Sequence, residues 1–237
     1  AHPREHVRPP DLDAFLRLQD AAGGLIRLVT LAPEWPGAPA FIGELARRGL
    51  VVALGHTAAS ADAIRRAVDA GARLSTHLGN GCAAMLPRHD NPLWAQLAED
   101  RLLASVIADG HHLPADVLEC VLRCKTPART ILTCDASSLA GMPPGLYPMW
   151  GKQIEVRPGG RVGVPGTPYL AGSGVFLDAC VAHLASLGWS LPDCLDMASA
   201  HPRALLGLPG GSLETGQPAD LVLFHEAPFR VVGTVAG

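Results

Sequence analysis

The sequence predicts an α/β fold in which successive βα units carry their chemistry to one barrel mouth, and three observations predict it. Short β-branched and Leu-rich runs alternate with amphipathic stretches rich in Ala, Leu and Arg. The runs are almost continuously apolar, as parallel strands covered on both faces must be. Five of them end on a titratable residue, and in a (β/α)8 barrel the strand C-termini all face one mouth.

The strand-like runs are residues 26–31, 50–54, 72–76, 102–107 and 130–134, separated by helical stretches such as 38–48, 60–70, 91–99 and 114–124. Ser60 caps the start of ADAIRRAVDAG, Gly71 follows its end, and Asn91-Pro92 opens the next helix with proline in the first turn. After Ala136 the rhythm loosens into SSLAGMPPGLYPMWG and RPGGRVGVPGTP, which read as long loops around a short hairpin. Helices near 176–187 and 192–199 follow. The tail, GGSLETGQPADLVLF, is a turn and a strand that fit no further βα unit and predict a separate small sheet.

Composition bounds the function. The 237 residues are 48% hydrophobic, 17% charged and 5% aromatic, enough apolar material for one sizeable core. A formal charge of −3, with 19 Lys and Arg and no basic run, lacks the footprint that nucleic-acid binding requires. The N-terminal AHPREHVRPP has no apolar signal core and no run approaches the ~20 residues a bilayer demands, so a soluble cytoplasmic protein without a membrane partner is expected. The cysteines Cys82, Cys120, Cys124, Cys134, Cys180 and Cys194 form no CxxC pair, which argues against a disulfide scaffold or a structural zinc site. Ser173 lies in a Gly-rich turn without a GxSxG frame, and the Gly-Gly pairs match no nucleotide-binding spacing.

The strand-end residues are Glu34, His56, His77, Asp109 and Asp135, at intervals of 22, 21, 32 and 26 positions. A barrel of ~250 residues in eight units averages roughly 30 per unit, so the spacing fits strands converging on one point. Two imidazoles and a carboxylate in an apolar mouth need something to offset their desolvation, and a divalent cation on Glu34, His56 and His77 does so. Such a His₂Glu set leaves coordination positions open and accepts zinc, iron, manganese or cobalt. Asp135 is expected to be the general base, taking a proton from an attacking water and returning it to a departing nitrogen. Asp109, before Gly110, is expected to brace a turn.

TLAPE (30–34), GHT (55–57), THLGN (76–80), IADGHH (107–112), TCDA (133–136) and LAGS (170–173), in this order, resemble the N-acetylglucosamine-6-phosphate deacetylase branch of the amidohydrolase superfamily. The likeness also takes in AHP and RPPD at the start and GSLETGQPADLVLF near the end. It implies one divalent metal on Glu34, His56 and His77, with Asp135 as the acid and base. It further implies substrate contacts from Asn80, Gly81, Arg88, His112, Ala171 and Gly172, and a homodimer in which Arg88 reaches the phosphate of a substrate in the neighbouring subunit. An arginine suits that task through its bidentate fork.

The resemblance also brings departures. GNGCAAMLPRHDNP replaces the family's usual Asn-Ala-Met stretch, and His111 stands where an apolar residue is common. The family's first barrel strands and its HxH-like motif have no counterpart, so an incomplete barrel over residues 1–207 is expected. Residues 208–237 would supply a strand of a small β-sandwich, and the open barrel edges would invite cover by another chain. The activity implied is hydrolysis of the N-acetyl group of an amino sugar phosphate. The rivals are a deaminase or cyclic amidase reaction at the same metal, and a non-catalytic ligand-binding chain.

Overall fold

The computed structural model describes residues 2, 4–209, 213–217 and 219–236. Its elements are α1 (Leu12–Ala21), β1 (Leu28–Leu31), α2 (Ala38–Arg47), β2 (Val51–Leu54), α3 (Ala61–Asp69), β3 (Ala72–Ser75), α4 (Pro92–Ala98), β4 (Leu103–Ile107) and α5 (Ala115–Lys125). They continue as β5 (Thr130–Thr133), β6 (Gly145–Met149), β7 (Lys152–Val156), β8 (Arg161–Gly163), β9 (Leu170–Ser173), α6 (Leu177–Ser186), α7 (Leu191–Ala198), α8 (Ala200–Leu205), β10 (Leu221–His225) and β11 (Arg230–Val235). The chain divides into two compact units. One comprises Ala1–Ser105, Arg123–Thr130 and Leu205–Gly207, and the other Val106–Leu122, Ile131–Ala204 and Leu208–Gly237.

In the first unit β1, β2, β3 and the start of β4 are parallel neighbours in that order, with Leu28 opposite Val51, Val52 opposite Ala72 and Leu74 opposite Leu103. Ile42 and Leu45 from α2, Val52 and Leu54 from β2, and Ile64 and Ala67 from α3 are fully buried together. Each large aliphatic side chain removed from water in this way contributes about 1.5–3 kcal/mol. The predicted caps hold: Ser60 Oγ accepts from Ala63 N, and Asn91 Oδ1 accepts from Leu93 N and Trp94 N. Gly71 turns with φ +118, and a Cβ there would come within 2.7 Å of the Ala46 Cβ. Lys125 is fully buried, donating to the carbonyls of Glu99 at 2.7 Å and Leu102 at 2.9 Å. Burial foremost, then the Arg129 charge, push its ammonium down to about 8.

One expectation fails at the edge of this sheet. β2 is buried throughout, yet β1 alternates exposed and half-buried residues. Among the described residues β1 pairs with β2 alone, so one side of it has no neighbouring strand to cover it.

In the second unit the Gly- and Pro-rich passage is more ordered than a short hairpin between loops: β6, β7, β8 and β9 form a four-stranded antiparallel sheet in chain order. Trp150 and Gly151 join β6 to β7 with φ +52 and +71, the two left-handed residues of a type I′ hairpin. Leu139, Ile154, Val156 and Val162 form its core. β10 and β11 pair antiparallel as a separate two-stranded sheet, which agrees with a terminal small sheet. Gly210, Gly211, Ser212 and Pro218 of that tail, with Ala1, Pro3 and Gly237, lie outside the described residues. No helix among the described residues is long and apolar enough to cross a membrane.

Candidate active site

The ends of β1, β2 and β3 lie close enough that side chains must give way between them. A Cβ on Gly55 would stand 2.7 Å from Thr76 Cβ and 3.1 Å from Thr30 Cγ2, while the hydroxyls of Thr30 and Thr76 are hydrogen-bonded at 2.9 Å. Just beyond, His56 Nε2 and His77 Nε2 face each other at 3.0 Å, with the rings edge-on and their centroids 4.7 Å apart. Both residues adopt left-handed backbone, φ +50 and +31. That conformation costs a non-glycine residue of order 1–3 kcal/mol and clusters where function fixes the backbone.

Burial foremost, then the neighbouring His77 and His2, push the His56 imidazole down to about 4, so His56 is neutral at pH 7. Its Nδ1 and that of His77 are buried without a hydrogen-bond partner among the described residues. His77 is set from behind: Ser105 Oγ accepts from His77 N at 2.7 Å and donates to Ser75 O at 3.0 Å. Glu34 sits on the loop after β1, where Oε1 accepts from Ala58 N at 2.9 Å and Oε2 accepts the Thr57 hydroxyl.

The loop after His77 folds back over the pair. Asn80 donates to His77 O from both its backbone and its side-chain nitrogen. Gly81 has φ +69, and a Cβ there would meet His56 Nδ1 at 2.8 Å, so the backbone lies directly on that imidazole. His56, Asn80 and Cys82 also line a pocket with Thr57, Thr76 and Gln96. Arg88, further along the loop, is exposed.

In the second unit Asp135 ends β5 with φ +52, the third strand-end candidate in left-handed backbone. β9 carries Ala171 and Gly172 against it: Ser173 N donates to Asp135 O at 2.8 Å, and a Cβ on Gly172 would lie 2.9 Å from that oxygen. Asp109 braces its turn as expected, accepting from His111 N and His112 N at 2.9 Å each. Its other oxygen accepts from His112 Nδ1 at 2.8 Å, with both side chains nearly fully buried. Burial opposes the charge, but the His112 side chain and the two backbone N–H groups outweigh it and hold the Asp109 carboxyl well below the usual range. A carboxylate can only accept, so His112 carries its proton on Nδ1. His111, at the family's apolar position, has its Nε2 2.8 Å from Gly159 O.

The donor set suits a divalent metal in two of its three members. The two imidazole nitrogens converge at a separation near that of adjacent tetrahedral ligands bound at ~2.0–2.1 Å, and His56 is held neutral, as a ligand must be. The Glu34 carboxylate is turned onto Thr57 and Ala58, and among the described residues no three His, Cys, Asp or Glu side chains stand close enough to hold an ion. The structure also adds residues that sequence reasoning missed. The His2 ring lies against His56 at a tilt of 42° with ring centroids 4.5 Å apart, Thr57 holds Glu34, and Ser105 holds His77. Thr57 and Ser105 are both buried, a property the sequence alone does not display.

No protein-family model matches the chain. It is 38% identical over 240 residues to an N-acetylglucosamine-6-phosphate deacetylase of Homo sapiens, spanning 96% of this chain and 58% of that protein. It is 36% identical over 226 residues to an N-acetylgalactosamine-6-phosphate deacetylase of Escherichia coli O157:H7, spanning 94% and 59%. A solved N-acetyl-D-glucosamine-6-phosphate deacetylase of Mycobacterium smegmatis superposes with a TM-score of 0.88 at 33% identity, over 100% of this chain and 63% of that one. The chain thus spans about three-fifths of the length of these relatives and is homologous to them over nearly all of its own.

Proposed function

We infer that this chain belongs to the N-acetylglucosamine-6-phosphate deacetylase family of metal-dependent amidohydrolases, and that it hydrolyses the N-acetyl group of an amino sugar phosphate to the free amine and acetate. The observation that carries this reading is the convergence of His56 and His77 at neighbouring strand ends, in left-handed backbone, within a chain homologous to such enzymes. The parallel strands are then part of a (β/α)8-type barrel and β10–β11 part of a small sandwich, a reading supported by the superposition on the solved deacetylase.

Glu34, His56 and His77 would hold one divalent ion, which supplies Lewis acidity toward the acetyl carbonyl and lowers the pKa of a water toward ~7. Asp135 accepts the proton of the attacking water and delivers it to the amine nitrogen as the C–N bond breaks, so the carboxylate ends as it began. Gly172, tight against the Asp135 carbonyl, fixes where that carboxylate starts. Asn80, the Gly81 backbone, His112 and Ala171 contact the sugar, and Arg88 receives the phosphate by charge-assisted hydrogen bonds. In this reading the active form is a homodimer in which Arg88 serves the partner's substrate.

A second reading concerns the sugar alone. The Escherichia coli relative is named for the galactosamine epimer, at an identity close to that of the human glucosamine enzyme. The test measures acetate released by the zinc-loaded chain from the 6-phosphates of N-acetylglucosamine and N-acetylgalactosamine, and from both sugars without phosphate. Turnover that needs phosphate and metal supports the proposal, and the faster epimer names the sugar. Metal bound without acetate release from any of the four would overturn it.

A further inference from the structure

We propose that Asn91 and Trp94 are positioning residues that hold Arg88 in place for the anionic group of the ligand, an inference that rests on the reading of Arg88 as the phosphate contact. Asn91 is 7% exposed and every hydrogen-bonding atom of its amide is engaged. Its Oδ1 accepts from Leu93 N at 3.0 Å and Trp94 N at 3.4 Å, which caps α4. Its Nδ2 donates backwards, to Pro87 O at 2.8 Å and to Arg88 O at 3.4 Å. Trp94 adds a second grip from the first turn of the helix, its indole Nε1 donating to Arg88 O at 3.0 Å.

Helix capping alone does not account for this arrangement. A cap needs only the Asn91 oxygen, and aspartate would serve as well. The nitrogen is spent on the two carbonyls that precede Asn91 in the loop. Trp94 is 56% exposed, so burial does not explain it either, whereas its N–H closes on the same carbonyl. The other end of the loop is fixed too, by Asn80 on His77 O and by Gly81 against His56.

Among the described residues the side chain so held has no carboxylate partner. Arg47, Arg48, Arg66, Arg101, Arg129 and Arg157 all pair with carboxylates. An arginine whose backbone is anchored at its own carbonyl and whose guanidinium has no carboxylate partner loses less freedom on meeting an anion, so less binding free energy is consumed in ordering the loop.

The substitutions Asn91→Ser and Trp94→Phe separate this role from structure, because serine keeps the cap without adding charge and phenylalanine keeps the ring. Titration calorimetry on the purified chain would compare glucosamine 6-phosphate with glucosamine for the original chain, the double variant and Arg88→Ala. The double variant is expected to lose about tenfold of the preference for the phosphorylated sugar, the scale of two or three hydrogen bonds, with the loss confined to that ligand. If Arg88→Ala keeps the full preference, the phosphate reading of Arg88 falls, and the inference built on it with it. If Arg88→Ala abolishes the preference while the double variant retains it, the phosphate reading stands and the positioning role is wrong. An equal loss for both sugars in the double variant would likewise overturn it, by making the two residues merely structural.

Discussion

His56 Nε2 lies 3.0 Å from His77 Nε2, and neither ring has a partner for its Nδ1 among the described residues. Two imidazoles sharing a single hydrogen bond gain little for burial and for two strained backbones. A cation held by the pair, as proposed above, would offset both. Replacing either histidine with asparagine is therefore expected to leave less than one tenth of the metal bound, read by elemental analysis after dialysis against trace zinc. Unchanged metal content in both variants would remove the centre from this pair.

The contact of Gly172 with Asp135 yields a different outcome. A methyl group on Gly172 must push against Asp135 O and Ser137 Cβ, in a backbone with φ +79 that alanine rarely adopts. Gly172→Ala should keep its metal and lose at least tenfold in turnover, since a misplaced base acts at the wrong distance. Asp135→Asn should also keep its metal and lose 10²–10⁴-fold, the usual contribution of general acid–base catalysis. Metal content and acetate release, measured on the same samples, distinguish these from the histidine variants.

Much of this was legible in the sequence, for reasons particular residues make clear. The run Val51–Leu54 is apolar throughout and Leu103–Ile107 is apolar but for Ser105, which suits strands covered by parallel neighbours, and Ser60 and Asn91 announced their helices by capping chemistry. The antiparallel sheet β6–β9 was not legible, because Pro148 and Gly163 sit inside strands whose pairing, not propensity, keeps them extended. In the candidate site the strand-end histidines could be picked out by position. Ser105 could not, since a serine in an apolar run carries no sign of which backbone N–H, 28 residues away, it will accept.

That serine gives a stability prediction. Ser105 Oγ is the acceptor for His77 N and donates to Ser75 O, all inside the buried face. Ser105→Ala leaves the N–H of His77 and the carbonyl of Ser75 without this partner, at about 1–3 kcal/mol for a buried unsatisfied group. Urea unfolding should show that loss with an unchanged slope. Metal affinity should fall with it, because the strained backbone at His77 loses its support.

The pair of Asp109 and His112 sets a pH dependence whose sign is fixed. The carboxyl titrates far lower in the folded chain than its ordinary 3.8, so the folded state binds fewer protons than the unfolded one as pH falls through that region. The stabilisation is present in full above the unfolded value and is lost progressively below about pH 4. Asp109→Asn removes it at its source, leaving His112 Nδ1 without a carboxylate. The variant should be about 2 kcal/mol less stable at pH 6, the scale of hydrogen bonds to a charged group, and the gap should narrow steadily between pH 4 and pH 2.5. Urea midpoints of the two chains across that range measure it, and a gap independent of pH would mean that the carboxylate is not ionised by this pairing.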